Sequence, residues 1–380
     1  MNVLHLINTL SAGGAELHLL TLCRYLKRRD VSVTVACLRE HVTGSRSLRA
    51  EFERECIKVI NLQVDSRYDV RLLSRVTSLI RKEQPDILHT HLPRADLAGA
   101  FACFFNPSVA WISSVHGIYK DAWSGRWTLP LFNSLWRQSD GVVAISHAVK
   151  KWLMRRRIPH EKITVIHYGI EMERFRRSSP GVQKKWRENG GALIGSIGRL
   201  EPGKGHDRLI EAMPAILEQR PDALLLIAGH DPWGYGKNLQ EIIERLRLEE
   251  KVRLVGFQND VGSFLGALDV FAFASRSEGF GQVVIEAMAA GKPVVASKVP
   301  PLTEIVEDGE TGLLVEPGAA RGFANAVVWI LSHTDQAEQM GKRGQERVRS
   351  HFSAERMADE TLSLYSALLR TSDYGLANLS

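Results

Sequence analysis

Two glutamates spaced eight residues apart, Glu278 and Glu286, stand where a buried strand is predicted to pass into a helix. The apolar run 270–274 predicts the strand, and two glycines after it predict a tight turn. A helix is predicted from about Gln282, with Gly291 as its stop. Peptide N–H groups at the start of a helix attract phosphate, and nearby carboxylates can accept hydrogen bonds from hydroxyl groups. A nucleotide-diphosphate sugar requires these groups. In the alternative interpretation, one glutamate is a surface acid and the other an ordinary helical acid.

A second candidate site lies in the loop Ile197–His206, where the sequence predicts a strand end, a glycine- and proline-rich turn and a helix. Open α/β sheets bind ligands in loops of this kind. Arg199 and Lys204 could stabilise the charge that develops on a diphosphate leaving group, without a metal ion. The alternative is a solvated loop with ordinary surface cations.

The segment Ser275–Gly291, with its Gly-Phe-Gly turn and Gly-Lys-Pro exit, resembles the E-x7-E motif of retaining glycosyltransferases with the GT-B fold, of the family-four (group 1) type. The resemblance covers nearly the whole chain, most specifically residues 193–316. It implies an α/β protein of two Rossmann-like domains that face each other across a cleft. It also implies retention of the anomeric configuration, by front-face attack of the acceptor.

The resemblance implies a role for each matching residue of the second half. Arg199 and Lys204 would bind the diphosphate of the donor, and Glu286 would accept hydrogen bonds from the ribose hydroxyls. Glu278 and the backbone of Phe280–Gly281 would hold the transferred sugar. Arg199, Lys204 and Glu278 are also expected to act in catalysis.

The loop after the first predicted strand contains Gly13 and Gly14, which permit close approach of a ligand to the backbone. The resemblance places Gly14 beside the donor phosphates. Three spaced glycines of the G-x-G-x-x-G pattern are missing, which disfavours a dinucleotide site. Glu16 matches a residue frequent in the family, but a carboxylate in the first turn of a helix is equally expected from the helix dipole.

Three histidines end two predicted strands of the first half. The resemblance places His116 next to the donor sugar, with its side chain on a sugar hydroxyl and its carbonyl facing the anomeric carbon; a hydrogen-bonded histidine at a strand end is the alternative. His89 and His91 share one face of a strand, so a zinc pair is conceivable, but no third ligand is evident. A lining of the acceptor site or simple packing are the other interpretations.

One loop turn departs from the family pattern. His167-Tyr-Gly169 stands where a Pro-Asn-Gly turn is common, and we expect this departure to leave the chemistry unaffected. The loop 118–128 is rich in aromatic and polar residues, which suits stacking on a sugar or contact with a membrane edge.

Charge is distributed unevenly along the 380 residues. Residues 1–190 hold 30 lysines and arginines against 17 acidic residues, whereas residues 191–380 hold 19 against 26, which recovers the total of +6. The basic half should be attracted to anionic surfaces. Lys150–Arg157 is its densest patch, and it predicts either an amphipathic segment on anionic lipid or a solvated helix end with a core-facing tryptophan.

The composition is typical of a soluble globular protein. No stretch approaches the ~20 apolar residues of a membrane span, and the first residues lack the pattern of a signal peptide. The four cysteines show no C-x-x-C spacing and predict reduced thiols. We therefore expect a cytoplasmic protein with no nucleic acid partner, and the basic first half adds the inner face of the membrane as an alternative location.

Strand and helix patterns alternate along both halves, which predicts parallel sheets with helices on both faces. The predicted strands are 3–8, 31–38, 59–62, 87–91, 110–116, 142–145 and 163–166 in the first half, and 192–197, 223–228, 252–256, 270–274, 294–297 and 312–315 in the second. The ranges 1–173 and 190–353 are predicted to be an acceptor-binding and a nucleotide-sugar-binding domain, joined by the polar linker 174–189. The resemblance suggests that the last helix, 354–372, returns to the first domain.

The chain is thus predicted to be a hexosyltransferase-type glycosyltransferase that acts on a glycan or polyprenyl-linked acceptor, in surface polysaccharide or glycolipid biosynthesis. It would need no cofactor and no metal, since no Asp-x-Asp lies at a predicted strand end. The alternatives are a nucleotide-sugar epimerase, a dinucleotide-dependent dehydrogenase, or a non-catalytic subunit that binds a nucleotide sugar.

Overall fold

The computed structural model describes residues 1–40, 46–64, 69, 71–119, 125–176, 186 and 191–377. The chain divides into two compact units, Met1–Gly169 with Ala354–Ser380, and Ile170–Ser353. Most of the predicted linker 174–189 and the middle of the loop 118–128 lie outside the described residues. Among the helices that are described, none combines the length and the apolar character that crossing a membrane requires.

The described part of the first unit contains a parallel sheet of seven strands. They are β1 (Asn2–Ile7), β2 (Ser32–Cys37), β3 (Lys58–Asn61), β4 (Ile87–His91), β5 (Ala110–Val115), β6 (Gly141–Ala144) and β7 (Ile163–Val165). Their order in the sheet is β3-β2-β1-β4-β5-β6-β7. The chain therefore reverses its direction of travel across the sheet between β1 and β4.

Helices cover both faces of this sheet. They are α1 (Gly14–Lys27), α2 (Arg49–Arg54), α3 (Arg71–Glu83), α4 (Pro93–Phe104), α5 (Gly125–Gln138), α6 (His147–Arg155) and, from the end of the chain, α15 (Ala354–Ala377), the numbering following chain order. Alternate residues of β1 show the two faces: Val3 and Ile7 pack with α1 and α15, whereas Leu4 and Leu6 pack with α3 and α4. Burial on both faces explains why these strands are continuous apolar runs.

The second unit is built around another parallel sheet, with six strands in its described residues. They are β8 (Leu193–Ile197), β9 (Leu224–Ala228), β10 (Val252–Gly256), β11 (Val270–Phe273), β12 (Val294–Ser297) and β13 (Leu313–Val315), in the order β10-β9-β8-β11-β12-β13. Its helices are α7 (Glu173–Arg176), α8 (His206–Gln219), α9 (Gly236–Arg245), α10 (Val261–Ala267), α11 (Gln282–Ala289), α12 (Leu302–Ile305), α13 (Ala320–Ser332) and α14 (Thr334–His351). The reversal of strand order here lies between β8 and β11.

The predicted alternation of strands and helices is confirmed. Every predicted strand is present with each end within one residue of its predicted position, and Ile87–His91 and Val294–Ser297 match at both ends. The final helix, α15, belongs to the first unit, where Tyr365 and Met357 are buried against the sheet and α1.

Candidate active site

Two loops meet at the point where the strand order of the second unit reverses. The loop after β8 and the loop after β11 leave neighbouring strands, and the amide N–H of Arg276 donates to the carbonyl of Gly203 at 2.9 Å. Gly205 has a φ of +69°, and a Cβ there would lie 1.9 Å from the carbonyl oxygen of Ala274. Only glycine allows this approach, so the sequence itself holds the two loops together. Open α/β sheets bind their ligands at such switch points.

Lys204 and Glu278, which the sequence assigns to one ligand, are in direct contact. The Lys204 Nζ lies 2.7 Å from Glu278 Oε1, and both side chains are largely buried. The same carboxylate oxygen accepts a hydrogen bond of 2.6 Å from the hydroxyl of Ser275. Ser275 is fully buried and also reaches the carbonyl of Gly203 at 3.1 Å. The carboxylate is therefore fixed in position before any ligand arrives.

The helix that carries the second glutamate begins immediately after the Gly-Phe-Gly turn. Gly281 has a φ of +104°, and a Cβ there would lie 2.4 Å from Leu302. Phe280 is buried, with its ring 5.9 Å from that of Phe352. The first amide groups of α11 have no partner within the helix, so the turn presents N–H donors beside the Lys204–Glu278 pair.

Glu286 is buried one turn into α11. Its Oε1 accepts a hydrogen bond of 3.0 Å from the side-chain amide of Gln282. Burial raises the pKa of Glu286 to about 7, and this bond and the charge of Arg174 oppose that rise only in part. A carboxyl group of this kind is poised between its two protonation states at neutral pH.

Arg199 stands apart from the Lys204–Glu278 pair in its contacts. Its guanidinium lies 3.1 Å from Glu201, and its charged end lies 5.3 Å from the ring centre of Trp233. More than half of the side chain is exposed. Arg199 is thus accessible to an anionic ligand, although its position relative to a diphosphate remains a prediction.

In the first unit, the glycine loop leads directly into α1. Gly13 is the residue before the helix, and Gly14 is its first residue. Glu16 accepts a hydrogen bond of 3.2 Å from Thr9, and its other carboxylate oxygen lies where a side chain at position 13 would stand. Glu16 thus lies in the first turn of α1, where the helix dipole favours a carboxylate.

His116, directly after β5, has protein partners on both ring nitrogens. Its Nε2 lies 3.0 Å from Nδ1 of His91, and its Nδ1 lies 2.6 Å from the hydroxyl of Tyr168. Burial lowers the pKa of His116 to about 3, so the ring is neutral. In this arrangement the ring has no nitrogen left for a sugar hydroxyl, and the backbone carbonyl is the group of His116 that can face a substrate.

The turn that departs from the Pro-Asn-Gly pattern contacts a candidate site residue. Tyr168 stands at the position of the family asparagine, and its hydroxyl contacts the ring of His116. Its own ring stacks on His18 with 4.0 Å between ring centres. The turn is joined to the end of β5 by side chains that the family pattern does not include.

The predicted pair His89 and His91 gains a third histidine from β1. Parallel register places His5 beside His89, and one ring nitrogen of each of His5, His89 and His91 lies within 4.8 Å of the others. His89 already contacts Tyr365 and Ser114 at 2.6 and 2.7 Å, and His91 contacts His5 and His116. These nitrogens fit hydrogen bonds within the protein better than a metal ion, which would have to displace them.

Sequence reasoning missed four residues that hold the predicted ones: Ser275, His5, Tyr168 and Tyr365. A signal existed for Ser275, three residues before Glu278. It existed also for Tyr168, since it replaces a family residue. His5 and Tyr365 gave none, because their neighbours follow from the strand order and from the return of α15.

Comparison with known proteins agrees with this geometry. The family model described as "Glycosyl transferases group 1" matches residues 182–347, and the one described as "Glycosyltransferase Family 4" matches residues 12–174. The chain is 27% identical to the capsular polysaccharide biosynthesis glycosyltransferase CapM of Staphylococcus aureus, over 92% of this chain and 93% of CapM. It is 28% identical to the N-acetyl-alpha-D-glucosaminyl L-malate synthase of Bacillus anthracis, over 81% of each chain.

Among solved structures, the chain is similar to the Anabaena protein HepE, crystallised in complex with UDP-glucose. The two share 26% sequence identity with a TM-score of 0.85, over 97% of this chain and all of HepE. The two family models, matched one after the other along the chain, and the parallel sheets agree with these relatives. The chain belongs to the group 1 glycosyltransferases with the GT-B fold.

Proposed function

We propose that this enzyme transfers a sugar from a nucleotide-diphosphate sugar to a glycan or lipid-linked acceptor, with retention of the anomeric configuration. The observation that carries the proposal is the fixed group of Lys204, Glu278 and Ser275 beside the start of α11. This group combines a cation and N–H donors for phosphate with a carboxylate for sugar hydroxyls.

We assign to the donor-site residues the roles that the family resemblance implies. Lys204 and Arg199 would bind the diphosphate, and Glu286 the ribose hydroxyls. Glu278 and the backbone of Phe280–Gly281 would hold the transferred sugar. A bound phosphate would share the charge of Lys204 with the carboxylate of Glu278. The positive charge that stabilises the diphosphate would thus come from side chains and not from a metal ion. We therefore expect full activity in the presence of a chelator.

Two groups of the first unit are also proposed to contact the substrates. Gly14, at the start of α1, would border the donor phosphates through its backbone. His116 would face the reacting carbon through its carbonyl oxygen, because both nitrogens of its ring are engaged. A carbonyl oxygen can stabilise the positive charge that a sugar develops as the bond to phosphate breaks.

Uridine diphosphate is the nucleotide that we propose to test first, since HepE was crystallised with UDP and with UDP-glucose. The relatives also suggest the pathway: CapM is named for capsular polysaccharide biosynthesis, and LpsE of Rhizobium meliloti, 26% identical, for lipopolysaccharide core biosynthesis. Assembly of a surface polysaccharide or glycolipid is the process that these names support, and we propose that the enzyme performs it in the cytoplasm.

Contact with an anionic membrane forms part of the proposal, supported by an exposed apolar face on the first unit. Leu97, Phe101, Phe104 and Phe105 recur at helical spacing along and just beyond α4, and Leu131 lies on α5, which packs against it. Phe104 is 77% exposed. A water-exposed helix face usually carries polar residues, so this one suits insertion among lipid headgroups.

Basic residues lie next to this apolar face. Residues 125–157 carry seven lysines and arginines and a single acidic residue, and Arg137 of α5 donates to the carbonyls of Arg156 and Arg157 at the end of α6. Within the patch 150–157, Leu153 is buried and Trp152 packs on Trp136, whereas the side chain of Met154 is 47% exposed. The patch would supply charge and one apolar side chain, and α4 with α5 most of the apolar contact.

Two measurements test these proposals separately. Calorimetric titration with a panel of nucleotide diphosphates and their sugars should show one that binds, and Lys204→Ala and Glu286→Ala should abolish that binding while the exposed control Lys342→Ala does not. Binding that survives both substitutions would place the donor elsewhere.

Co-sedimentation with vesicles of phosphatidylglycerol should fall about tenfold in Phe104→Ser, from the lost apolar transfer, but not in Phe257→Ser on the second unit. Equal sedimentation of both variants would exclude the α4 face.

A further inference from the structure

A row of hydrogen-bonded histidines runs through the first unit from the inside of the sheet to the end of β5. His5 Nδ1 lies 3.0 Å from His91 Nε2, His91 Nδ1 lies 3.0 Å from His116 Nε2, and His116 Nδ1 lies 2.6 Å from the Tyr168 hydroxyl. We call His5, His91, His116 and Tyr168 the histidine chain. His5 and His91 are fully buried, and Tyr168 nearly so. The histidine chain is therefore shielded from water along most of its length.

The hydrogen bonds of this chain must all point in one direction. Burial lowers the pKa of each of its histidines, to about 3 for His5 and His116, so the rings are neutral near pH 7. A neutral imidazole has one N–H donor and one acceptor nitrogen. Each ring in the chain that uses both nitrogens must accept on one side and donate on the other. Either every bond donates toward Tyr168, or every bond donates toward His5.

The His5 end of the histidine chain decides between these two directions. His5 Nε2 is buried and has no hydrogen-bond partner in the described part of the chain. If the bonds donated toward His5, this nitrogen would carry a buried N–H with no acceptor, an arrangement that folded proteins rarely contain. If they donate toward Tyr168, the nitrogen carries only an unused lone pair, and the three histidines are all Nδ1–H tautomers.

The outer end of the histidine chain is compatible with this direction, because the Tyr168 hydroxyl oxygen, 2.6 Å from Nδ1 of His116, can accept the N–H of that nitrogen.

We propose that His5 and His91 are positioning residues for sugar transfer, which hold His116 as its Nδ1–H tautomer and fix the end of β5. With both ring nitrogens bonded, the His116 side chain is held at two points, and the backbone carbonyl that it carries is held with it. A fixed carbonyl needs no reorganisation when charge develops on the sugar. The part of this inference that concerns catalysis rests on the proposed function, whereas the tautomers do not.

The tautomers can be observed directly. Histidine labelled with ¹⁵N distinguishes Nδ1–H from Nε2–H rings by their nitrogen chemical shifts, and the buried signals can be assigned from the variants below. We expect Nδ1–H rings for His5, His91 and His116 in the full-length protein without ligand. An Nε2–H ring at His116 would overturn the inference, whatever the activity of any variant.

Two substitutions at His5 separate positioning from packing. His5→Asn keeps an amide N–H close to the place of Nδ1, and we expect it to retain the Nδ1–H tautomer of His116 and nearly full turnover. His5→Leu removes the donor, and we expect a mixture of tautomers at His116 and a fall of roughly tenfold in kcat for donor hydrolysis, with KM for the donor unchanged. Ile7→Val, on the same strand and face, controls for loosened packing and should leave kcat and the tautomers unaltered.

The outcomes also separate this inference from the proposed function. If His5→Leu and His5→Asn lose activity equally while His116 keeps its tautomer, His5 serves packing alone and the inference fails. If no nucleotide sugar binds to the wild-type protein in calorimetry, the proposed function fails, but the tautomers of the histidine chain can still be read from its spectrum.

Discussion

The two units hold their candidate site residues in opposite ways. In the second unit, Glu278, Ser275 and Glu286 come from one short segment, and Arg199 and Lys204 come from one neighbouring loop. In the first unit, His5 and His91 are 86 residues apart, and His89 and Tyr365 are 276 apart. One site is encoded in a motif, and the other is assembled by the sheet from distant positions.

This difference also appears in the electrostatics of the two regions. The second unit brings charges together: a lysine and a carboxylate in contact, and a buried carboxyl group whose pKa lies near neutrality. The first unit buries neutral imidazole rings, because desolvation lowers the pKa values of His5, His91 and His116 in the histidine chain. Charged groups suit binding of a diphosphate, whereas neutral hydrogen-bonded rings suit the fixing of a backbone.

The largest expected effect concerns the carboxylate that the motif places against Lys204. Glu278→Gln keeps an oxygen for Ser275 but removes the negative charge beside the lysine. Because Lys204 is then free of its carboxylate partner, the affinity for UDP should stay within about threefold, whereas turnover of the nucleotide sugar should fall on the order of 10²-fold through loss of a hydrogen-bond acceptor for the sugar. Calorimetry and donor hydrolysis measure the two quantities.

The exposed acid Glu338 provides the control for this variant, since Glu338→Gln removes the same charge from α14. If Glu278→Gln weakened UDP and its sugar by the same factor, the carboxylate would serve only to arrange the loop. Glu278 could then no longer be assigned to recognition of the sugar, as distinct from recognition of the diphosphate by Lys204.

Glu286 gives the second prediction, which concerns stability and pH. Its pKa is raised by burial from 4.5 to about 7, so the folded state binds a proton more tightly than the unfolded state does. Stability associated with this group is complete below pH 4.5 and is lost as the pH rises through 7, by on the order of 3 kcal/mol. Glu286→Gln lacks this loss, so its free energy of unfolding should exceed that of the wild type at pH 8 and match it near pH 4.

Urea unfolding across this pH range measures the difference, with Glu249→Gln at an exposed position as the control. A constant difference at all pH values would mean that Glu286 does not titrate in this window. Donor affinity has the opposite dependence: because ribose hydroxyls donate to the ionised carboxylate, affinity should increase as the pH rises through 7.

How much the sequence could predict follows from the same contrast. The apolar runs at Ile87–His91 and Val294–Ser297 predicted strands correctly at both ends, because buried parallel strands leave a local signature. The spacing of Glu278 and Glu286, with the glycines between them, predicted a turn and a helix start that the structure contains. Local order of this kind can be read from a few residues.

The contacts of the histidines could not be predicted in the same way. His5 meets His91 because β1 and β4 are neighbours, and that follows from the sheet order and not from residues near either histidine. Trp152 was equally ambiguous, since a basic amphipathic segment has the same pattern whether its tryptophan faces lipid or, as here, the ring of Trp136. Contacts that depend on the order of strands in a sheet can be predicted from a sequence only when its resemblance to a family reveals that order.

The smallest expected effect lies in the first unit, at the hydroxyl of Tyr365. It lies 2.6 Å from Nδ1 of His89, and both groups are buried. Tyr365→Phe leaves this nitrogen without its partner, which should lower the free energy of unfolding by about 1–3 kcal/mol. The affinity for UDP should not change, because this contact arranges the sheet and α15 of the first unit, whereas the donor loops belong to the second. Chemical unfolding and calorimetry measure both, and Tyr235→Phe, whose hydroxyl has no hydrogen bond in the described part of the chain, is the control. A loss of UDP affinity in Tyr365→Phe would contradict the division proposed here, since the assembled region would then act on the motif-encoded one.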